Sequence, residues 1–533
     1  MRGPRDIRHG YEDLGGLLSR LRRTQWIMAL RAMLCGIIVG MLVSLYREGI
    51  DAGTVAARRG YAMILRDPRW IGVWICAAIA VGLLVAFLVA WEPMAGGSGI
   101  PQVEGVVLRG MHMTWLRILL VRFVGGLLCG MFGLSLGREG PSIQIGAATG
   151  QASSRAMGRR GIESNYLMTA GAAAGLSAAF NAPLSGMMFA LEEVHRSFSP
   201  MILLSATAAS LSADFVSEYW FGLTPVLNFT RLSQLSLTEY LWMVPLGIAA
   251  GLVGSLINIM LLGFQTAYSR ISAPARPLVA LVVALPVGIW LPMALGGGED
   301  LIGFAERATS GVGFLLVLLA VKMLFTSTSF GSGVPGGIFM PILASGTLTG
   351  SVVGILAGHA GVPSGHVAVF AVCAMAGTLA ASVKAPVTSI LLTVEMSGTL
   401  VHMLPVTACA FAALFVSDLL HIKPIYSALL DRYVDSHPDE AAGSLRDSRG
   451  RESGNAVMEF GVEVGSPLAG RSLGDVAWPS SAAVVDIRRG DDEIVPTATT
   501  VMMAGDYLLL MFPAAQVTQV RADMDSLCGT GRS

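Results

Sequence analysis

The chain has few charged residues, only 14% of its 533 amino acids. Its 36 basic and 36 acidic side chains cancel, so net charge gives no indication of nucleic-acid binding. Its six cysteines have neither metal-ligand nor disulfide spacing, and five stand singly in apolar stretches. We expect no metal site and no cofactor. Hydrophobic residues, in contrast, make up 53%, and the mean hydropathy of +0.64 is well outside soluble usage.

The N-terminus is basic and precedes the first long apolar run. Six arginines lie before Trp26, and the run from Trp26 to about Tyr46 is long enough to span a bilayer. No clear small-residue cleavage site follows, which favours a retained membrane helix over a secretory signal. By the positive-inside rule, residues 1–25 are predicted to be a cytoplasmic segment.

The later apolar runs predict a polytopic membrane protein. Several are too short for a full crossing, and many are interrupted by Gly, Pro or Ser. Broken helices at membrane depth are tolerated where protein buries their ends or where they line a polar cavity. This indicates a transporter or channel. The runs lie near 71–91, 115–136, 166–190, 200–216, 241–265, 276–295, 311–328, 338–357, 366–381, 386–396 and 403–420.

The two halves of the chain repeat one pattern. The break Gly137–Pro141 reads G-x-x-x-P, and so does Gly337–Pro341, 200 residues later. Each break is followed by an Ala-Pro pair, whose proline lies 42 residues after the proline of the first break and 45 residues after that of the second. A glutamate lies nine residues beyond each of these later prolines, Glu192 in the first half and Glu395 in the second. Paired, interrupted segments in two halves indicate a transport site at the repeat interface. The spacing alone leaves open whether the halves are inverted.

A carboxylate, Glu139, stands inside the first break. An ionisable group at membrane depth is costly and indicates transport or gating. The same break exposes backbone N–H groups at a helix start, where an anion can bind. A carboxylate there mimics the anion, and its occupancy then depends on pH. The simpler alternative is that Glu139 only caps the helix.

Gly133–Gly137 also matches the hydrolase pattern G-x-S-x-G. It lies in an apolar run without the strand–turn–helix context that this nucleophile elbow needs. We therefore expect no enzymatic activity.

Four motifs resemble those of the CLC family of chloride channels and proton-coupled chloride exchangers. They are GSGIP at 97–101, GREGP at 137–141, GGIFMP at 336–341 and KPIYSALL at 423–430, within a resemblance over residues 26–430. The resemblance implies a helical membrane domain of short, tilted, broken helices in two inverted repeats. It also implies a homodimer in which each subunit carries its own pore.

The resemblance assigns roles to individual residues. Ser98 and Tyr426 would donate hydroxyls to a central chloride, and the backbone N–H groups of Ile338 and Phe339 would complete its site. Glu139 corresponds to the gating glutamate, which protonation releases. Serine at position 98 goes with chloride preference.

Glu193 resembles the inner proton glutamate of the exchangers. Alternatively, Glu192 and Glu193 simply end a helix at the cytoplasmic interface beside His195 and Arg196. Glu139 together with Glu193 favours proton-coupled chloride antiport. A passive voltage- or pH-gated chloride channel is the alternative.

Other intramembrane charges receive structural interpretations. Arg122, Lys322 and Lys384 lie in or beside apolar runs and are more often snorkelling or paired residues than pore residues. Glu104, six residues past Ser98, is left open.

The character of the chain changes after about residue 431. Residues 431–455 are predicted to be a linker, 456–527 a small cytoplasmic α+β domain with a closing helix, and 528–533 a tail. Residues 457–527 resemble the C-terminal lobe of TrkA/RCK regulators, which implies a dimer-forming module that binds a small ligand. The alternative is that this domain is only a stabilising appendage. For the whole chain, a ligand-sensing membrane regulator with little flux is a third hypothesis, after the antiporter and the passive channel. Both termini are predicted to be cytoplasmic, with the protein in the cell (inner) membrane.

Overall fold

The computed structural model describes residues 4–159, 162–196, 200–223, 227, 233–306, 310–437, 455–462, 466–479, 482–489, 492–513 and 516–528. Most of the predicted linker, residues 438–454, lies outside the described residues, as do residues 1–3 and 529–533 of the two terminal segments. The chain divides into two compact units. The first comprises residues 1–108 and 113–432, and the second comprises residues 109–112 and 433–533.

The first unit is helical. Its α-helices, the last of which continues a few residues past the unit, are α1 (Pro4–Arg66), α2 (Trp70–Trp91), α3 (Ile100–Arg109), α4 (Trp115–Met131), α5 (Glu139–Ala156), α6 (Ile162–Phe180), α7 (Pro183–Phe189), α8 (Pro200–Phe221), α9 (Met243–Tyr268), α10 (Arg276–Trp290), α11 (Glu299–Glu306), α12 (Val312–Gly331), α13 (Phe339–His359), α14 (Val367–Val383), α15 (Pro386–Ser397), α16 (Met403–Leu419) and α17 (Ile425–Ser436). Short 3-10 turns at 93–95, 239–242, 273–275, 292–294 and 364–366, and a π-helical turn at 190–194, lie between them.

Seven helical segments of the described chain are long and apolar enough to cross a membrane. α1 is much longer than the predicted run, because it begins at Pro4, inside the segment assigned to the cytoplasm, and ends at Arg66, past Tyr46. Other spans, such as α2 with a mean window hydropathy of 2.8, coincide with predicted runs. The chain is therefore a multi-pass membrane protein.

Four helices were missed by the search for apolar runs: α3, α5, α11 and α17. α5 shows why, since it contains Ser, Gln, Thr and Gly yet is buried over most of its length. A helix surrounded by protein does not need the apolar surface that lipid requires. These helices therefore carry little hydropathy signal.

Glycines let helices of each half pack closely. A Cβ on Gly146 or Gly150 of α5 would collide with backbone carbonyls of α6. A Cβ on Gly346 or Gly350 of α13, 200 residues later in each case, would likewise meet backbone carbonyls of α14. The two helix pairs are thus equivalent in the two repeats, and the small residues permit close backbone approach.

The two predicted breaks meet each other. Gly137 and Gly337 exchange both backbone hydrogen bonds, each with an N···O distance of 2.7 Å, in an antiparallel bridge. Antiparallel pairing of equivalent residues relates the two halves by a local twofold axis, as expected for inverted repeats. A second pair of hydrogen bonds obeys the same relation: Gly97 N to Gly333 O at 3.2 Å, and Gly296 N to Gly133 O at 3.1 Å.

The two repeated glutamates cap helices across the repeat interface. Glu395, on α15, accepts hydrogen bonds at the start of α7, and Glu192, just after α7, accepts them at the start of α15. Carboxylates are favourable at helix starts, where N–H groups lack intrahelical partners. The bonds are Leu184 N to Oε1 of Glu395 (3.0 Å), Ser185 N to Oε2 of Glu395 (2.8 Å), Val387 N to Oε1 of Glu192 (3.2 Å) and Thr388 N to Oε2 of Glu192 (2.8 Å).

The second unit contains a four-stranded antiparallel sheet and a helix, in agreement with the predicted α+β domain. Its strands are β1 (Asn455–Gly461), β2 (Ala483–Arg489), β3 (Asp492–Ile494) and β4 (Tyr507–Pro513), in the order β1-β4-β2-β3, followed by α18 (Val517–Cys528). Alternate residues of central β4, Leu508, Leu510 and Phe512, are buried against α18 residues such as Met524. The unit therefore has a hydrophobic core of its own.

Candidate functional site

Ser98 lies in the turn between the 3-10 turn at 93–95 and α3. Its neighbours Gly97 and Gly99 have φ of 63° and 92°, a region that favours glycine. The Ser98 side chain is buried, and its Oγ lies 2.8 Å from where a Cβ on Gly140 would be. The GSGIP turn therefore brings the Ser98 hydroxyl to the start of α5.

Glu139 is the first residue of α5 and is fully buried. A Cβ on Gly137 would collide with its Oε2 and would lie 3.3 Å from Met340 N. The carboxyl thus lies between the starts of α5 and α13, where helix dipoles favour negative charge.

Ile338 and Phe339 form the start of α13, and both are buried. The Phe339 ring stacks on that of Tyr426 in α17, with centroids 6.0 Å apart and an interplanar angle of 17°. Tyr426 is fully buried, and Glu193, Glu139 and Ser98 lie near its hydroxyl. The structure therefore brings five of the six predicted site residues to one place and positions the sixth, Glu193, within electrostatic range.

Four buried oxygens at this place have no hydrogen-bond partner among the described residues. They are Ser98 Oγ, Tyr426 Oη and both carboxyl oxygens of Glu139. Buried polar atoms are nearly always paired, so such a cluster calls for a functional explanation. Neutral hydroxyl donors beside two helix starts suit an anion that must be bound and then released.

Glu193 lies in the π-helical turn after α7, and its side chain is 5% exposed. Arg196 Nη2 lies 3.5 Å from Oε1 of Glu193 and 3.0 Å from Oε1 of the buried Glu104, and it donates to Ser427 Oγ at 2.9 Å. Glu193 is therefore a buried carboxylate beside a cation. Its neighbour Glu192 points elsewhere and caps α15.

A cavity of about 160 Å³ is lined in part by Glu139. Arg138, 4% exposed, forms ion pairs of 2.6 Å with Asp51 of α1 and 2.6 Å with Glu299 of α11. A third ion pair joins Arg58 to Asp300. Glu139 and these paired charges thus line the same cavity.

Sequence reasoning missed several of these residues. Asp51 and Glu299 were not singled out, because their partner Arg138 lies far away in the sequence. Arg138 was seen only as part of the GREGP motif. The search of the described residues for groups of His, Cys, Asp and Glu that could bind a metal found none.

Comparison with known proteins gives matches over both units. The family described as "Voltage gated chloride channel" matches residues 79–418, and the TrkA-C domain family matches residues 457–525. The chain is 36% identical over 432 residues to the "H(+)/Cl(-) exchange transporter ClcA" of Cronobacter sakazakii, an alignment that covers 78% of this chain and 91% of that protein.

Two solved structures share the fold. A slow cyanobacterial Cl-/H+ antiporter superposes with a TM-score of 0.72 at 28% identity, covering 77% of this chain and 99% of the other. A CLC-type fluoride/proton antiporter superposes with a TM-score of 0.60 over 74% and 95% of the two chains, and at 22% identity this shows the fold alone. With a family match over more than half of its length, the chain belongs to the CLC, or voltage-gated chloride channel, family and carries a C-terminal TrkA-C domain.

Proposed function

We propose that the protein is a chloride/proton antiporter in which Glu139 is both the gate and a proton carrier. The observation that carries this proposal is the position of the Glu139 carboxyl between the starts of α5 and α13, beside the unpartnered hydroxyls of Ser98 and Tyr426. The relatives described as H+/Cl- exchange transporters and as a Cl-/H+ antiporter support it.

The gate follows from competition between two anions for one place. An ionised Glu139 carboxylate occupies the positive ends of α5 and α13, which a chloride ion would otherwise bind. A protonated carboxyl has no such attraction and leaves the place to chloride. Each exchange of carboxylate for chloride therefore accompanies uptake of a proton, which is the coupling that an antiporter needs.

The central chloride in this proposal binds the hydroxyls of Ser98 and Tyr426 and the N–H groups of Ile338 and Phe339. These donors are neutral, so they replace part of the ion's hydration shell without trapping it. Glu193, which is buried and does not line that cavity, would pass protons between Glu139 and the cytoplasm.

Reconstitution into liposomes tests the proposal. A chloride gradient imposed across vesicles that contain the purified protein should drive protons uphill, recorded as a pH change together with chloride efflux. Chloride flux without proton movement would instead establish the passive channel. Absence of both would favour a regulator with little flux.

Two substitutions separate the roles of the glutamates. Glu139→Gln should leave chloride flux that no longer responds to pH and has lost proton coupling, because the amide cannot titrate. Glu193→Gln should retain chloride flux but lose proton transport. Full proton exchange by Glu139→Gln would overturn the gate assignment.

The assembly and orientation also belong to this proposal. We propose a homodimer in the cell (inner) membrane, with both termini in the cytoplasm, as the arginines before Trp26 indicate. The TrkA-C domain would then be a cytoplasmic module that dimerises and binds a small regulatory ligand. Cross-linking in membranes tests the dimer, and protease access to a C-terminal tag, from each side of the membrane, tests the location of the C-terminus.

A further inference from the structure

Two buried cations occupy equivalent places in the two repeats. Arg122 of α4 lies 15 residues before Gly137 (137 − 122), and Lys322 of α12 lies 15 residues before Gly337 (337 − 322). Both side chains are fully buried. A charge buried in a membrane domain is costly and needs a specific reason.

Both cations donate to the same kind of turn. The turns follow two copies of the tripeptide Pro-Met-Ala, at 93–95 and 292–294, 199 residues apart. Arg122 donates to the carbonyls of Gly96 (3.1 Å) and Gly97 (2.5 Å). Lys322 donates to the carbonyls of Ala294 (3.2 Å) and Gly296 (2.7 Å), and Gly296 is the repeat equivalent of Gly97.

A glycine after each turn makes room for the cation. Gly99 and Gly298, again 199 residues apart, have φ of 92° and 111°. A Cβ on Gly99 would lie 2.8 Å from Nη2 of Arg122, and one on Gly298 would lie 3.3 Å from Nζ of Lys322. The cation, the carbonyl and the glycine thus recur together, which a chance buried charge would not produce.

The two turns serve different parts of the site. The first turn carries Ser98, and Arg122 also donates through Nε to Gln144, whose Nε2 donates to Met94 O at 2.9 Å. Arg122 therefore connects the Ser98 turn to α5, the helix that begins at Glu139. A planar guanidinium can make these bonds in fixed directions, which a lysine cannot.

The second turn forms a wall of the cavity that Glu139 lines. Gly297 and Gly298 line the cavity, and α11 begins at the next residue, Glu299, which pairs with Arg138 beside Glu139. Among the described residues, Lys322 has no carboxylate within ion-pair distance, so its hydrogen bonds go to the carbonyls of this turn. The Lys322 side chain therefore holds this turn at the cavity wall through its hydrogen bonds.

We propose that Arg122 and Lys322 are repeat-related positioning residues with separate tasks. Arg122 fixes the turn that presents Ser98 to the central anion and so determines chloride affinity. Lys322 fixes the turn at the cavity wall and so determines how fast ions pass Glu139. The assignment rests on the proposed chloride transport.

The test compares full-length Arg122→Lys and Lys322→Met with the unchanged protein. Chloride binding is measured by titration calorimetry in detergent, and exchange rate against chloride concentration is measured in liposomes. Arg122→Lys keeps the charge but loses the fork, so chloride Kd should rise about tenfold while the rate at saturating chloride falls less. Lys322→Met should leave Kd within about twofold and lower the saturating rate about tenfold.

Conservative variants distinguish positioning from loss of folding. Lys322→Arg should restore most of the rate, and Arg122→Met should bind chloride more weakly than Arg122→Lys. If Arg122→Lys proves too unstable to purify, Gln144→Ala replaces it in the test. This variant removes one partner of Arg122 and no charge, and it should also raise the chloride Kd.

Three results are informative in different ways. If the unchanged protein binds and moves no chloride, the proposed function itself fails. If it binds chloride but Arg122→Lys and Gln144→Ala leave Kd unchanged, the inference about Arg122 is wrong. If Lys322→Met alters Kd as Arg122→Lys does, the proposed separation of tasks is wrong.

Discussion

At the scale of single residues, the site combines one ionisable group with neutral donors. Ser98 and Tyr426 present hydroxyls, while Glu139 supplies a carboxyl beside the starts of two helices. A buried arginine in direct contact would bind an anion strongly and slow its release. In the described structure the nearby arginines have other partners: Arg138 pairs with carboxylates beside the cavity, and Arg122 donates to backbone carbonyls.

Gly137 is predicted to be essential for the closed position of the gate. A Cβ there would collide with Oε2 of Glu139, and such overpacking costs about 1–3 kcal/mol. Gly137→Ala should therefore displace the carboxyl, shift the gate toward its open position by about tenfold or more, and raise chloride flux at neutral pH while proton coupling falls.

Liposome flux measured at several pH values checks this expectation. Gly263→Ala is the matched control, because it lies in helix α9 with no atom within 4 Å of the added Cβ. Unchanged flux and coupling in Gly137→Ala would mean that Glu139 does not depend on this close approach.

At the scale of elements, the sequence predicted the long apolar helices and the glycine-containing breaks of the repeat. It did not predict the features that depend on contacts between residues far apart in the chain. α2 and α16 were visible as apolar runs because both expose many large apolar side chains, as helices that face lipid do. α5 was not, because protein surrounds it and its polar residues face neighbouring helices. The repeat was visible in the spacing of the two breaks.

The partners of repeated residues could not be read from spacing. Nothing in the sequence indicates that Gly137 and Gly337 bond to each other, or that Glu192 caps α15. Such contacts depend on how the halves are oriented, and the twofold relation appears only once the chain is folded. The residues proposed to bind the anion were found through motifs, whereas the ion pairs that Arg138 forms beside the cavity were not.

The reciprocal caps predict a shared contribution to stability. Glu192→Gln and Glu395→Gln each replace a charged acceptor of two backbone N–H groups by a neutral one, which should cost about 1–2 kcal/mol of unfolding free energy each. Glu192 caps α15, which carries Glu395, and Glu395 caps α7, which directly precedes Glu192. The effects of the two substitutions should therefore be non-additive in the double variant.

Thermal unfolding of the purified variants in detergent measures both effects. Glu48→Gln, at an exposed position of α1, is the control and should change little. Additive losses in the double variant would show that the two caps act independently.

At the scale of the whole molecule, the chain joins two units with separate cores. Leu510, Phe512 and Met524 belong to a buried cluster formed by residues of the C-terminal unit. In that unit Arg489 donates to Asp506 through Nε and Nη2, each at 2.8 Å, and Met503 N donates to the same carboxylate at 2.7 Å. The TrkA-C unit therefore has its own source of stability and its own titratable contact.

The C-terminal unit should unfold at acid pH before the membrane unit. Burial raises the pKa of Asp506, but the hydrogen bonds from Arg489 and Met503 and the charge of Arg489 outweigh it, so the pKa lies below its usual value. A carboxylate with a depressed pKa stabilises the fold at neutral pH, and this stability is lost as the pH falls from about 4 through the folded pKa. Calorimetry of the full-length protein in detergent should show one transition that moves to lower temperature over this range.

Asp506→Asn should lower the temperature of that transition at pH 7 by the equivalent of about 1–2 kcal/mol, since Arg489 is partly exposed, and should lose much of the acid shift. Asp523→Asn, on the exposed face of α18, is the control. A transition that responds to acid equally in Asp506→Asn and in the unchanged protein would show that another group governs the acid sensitivity of this unit.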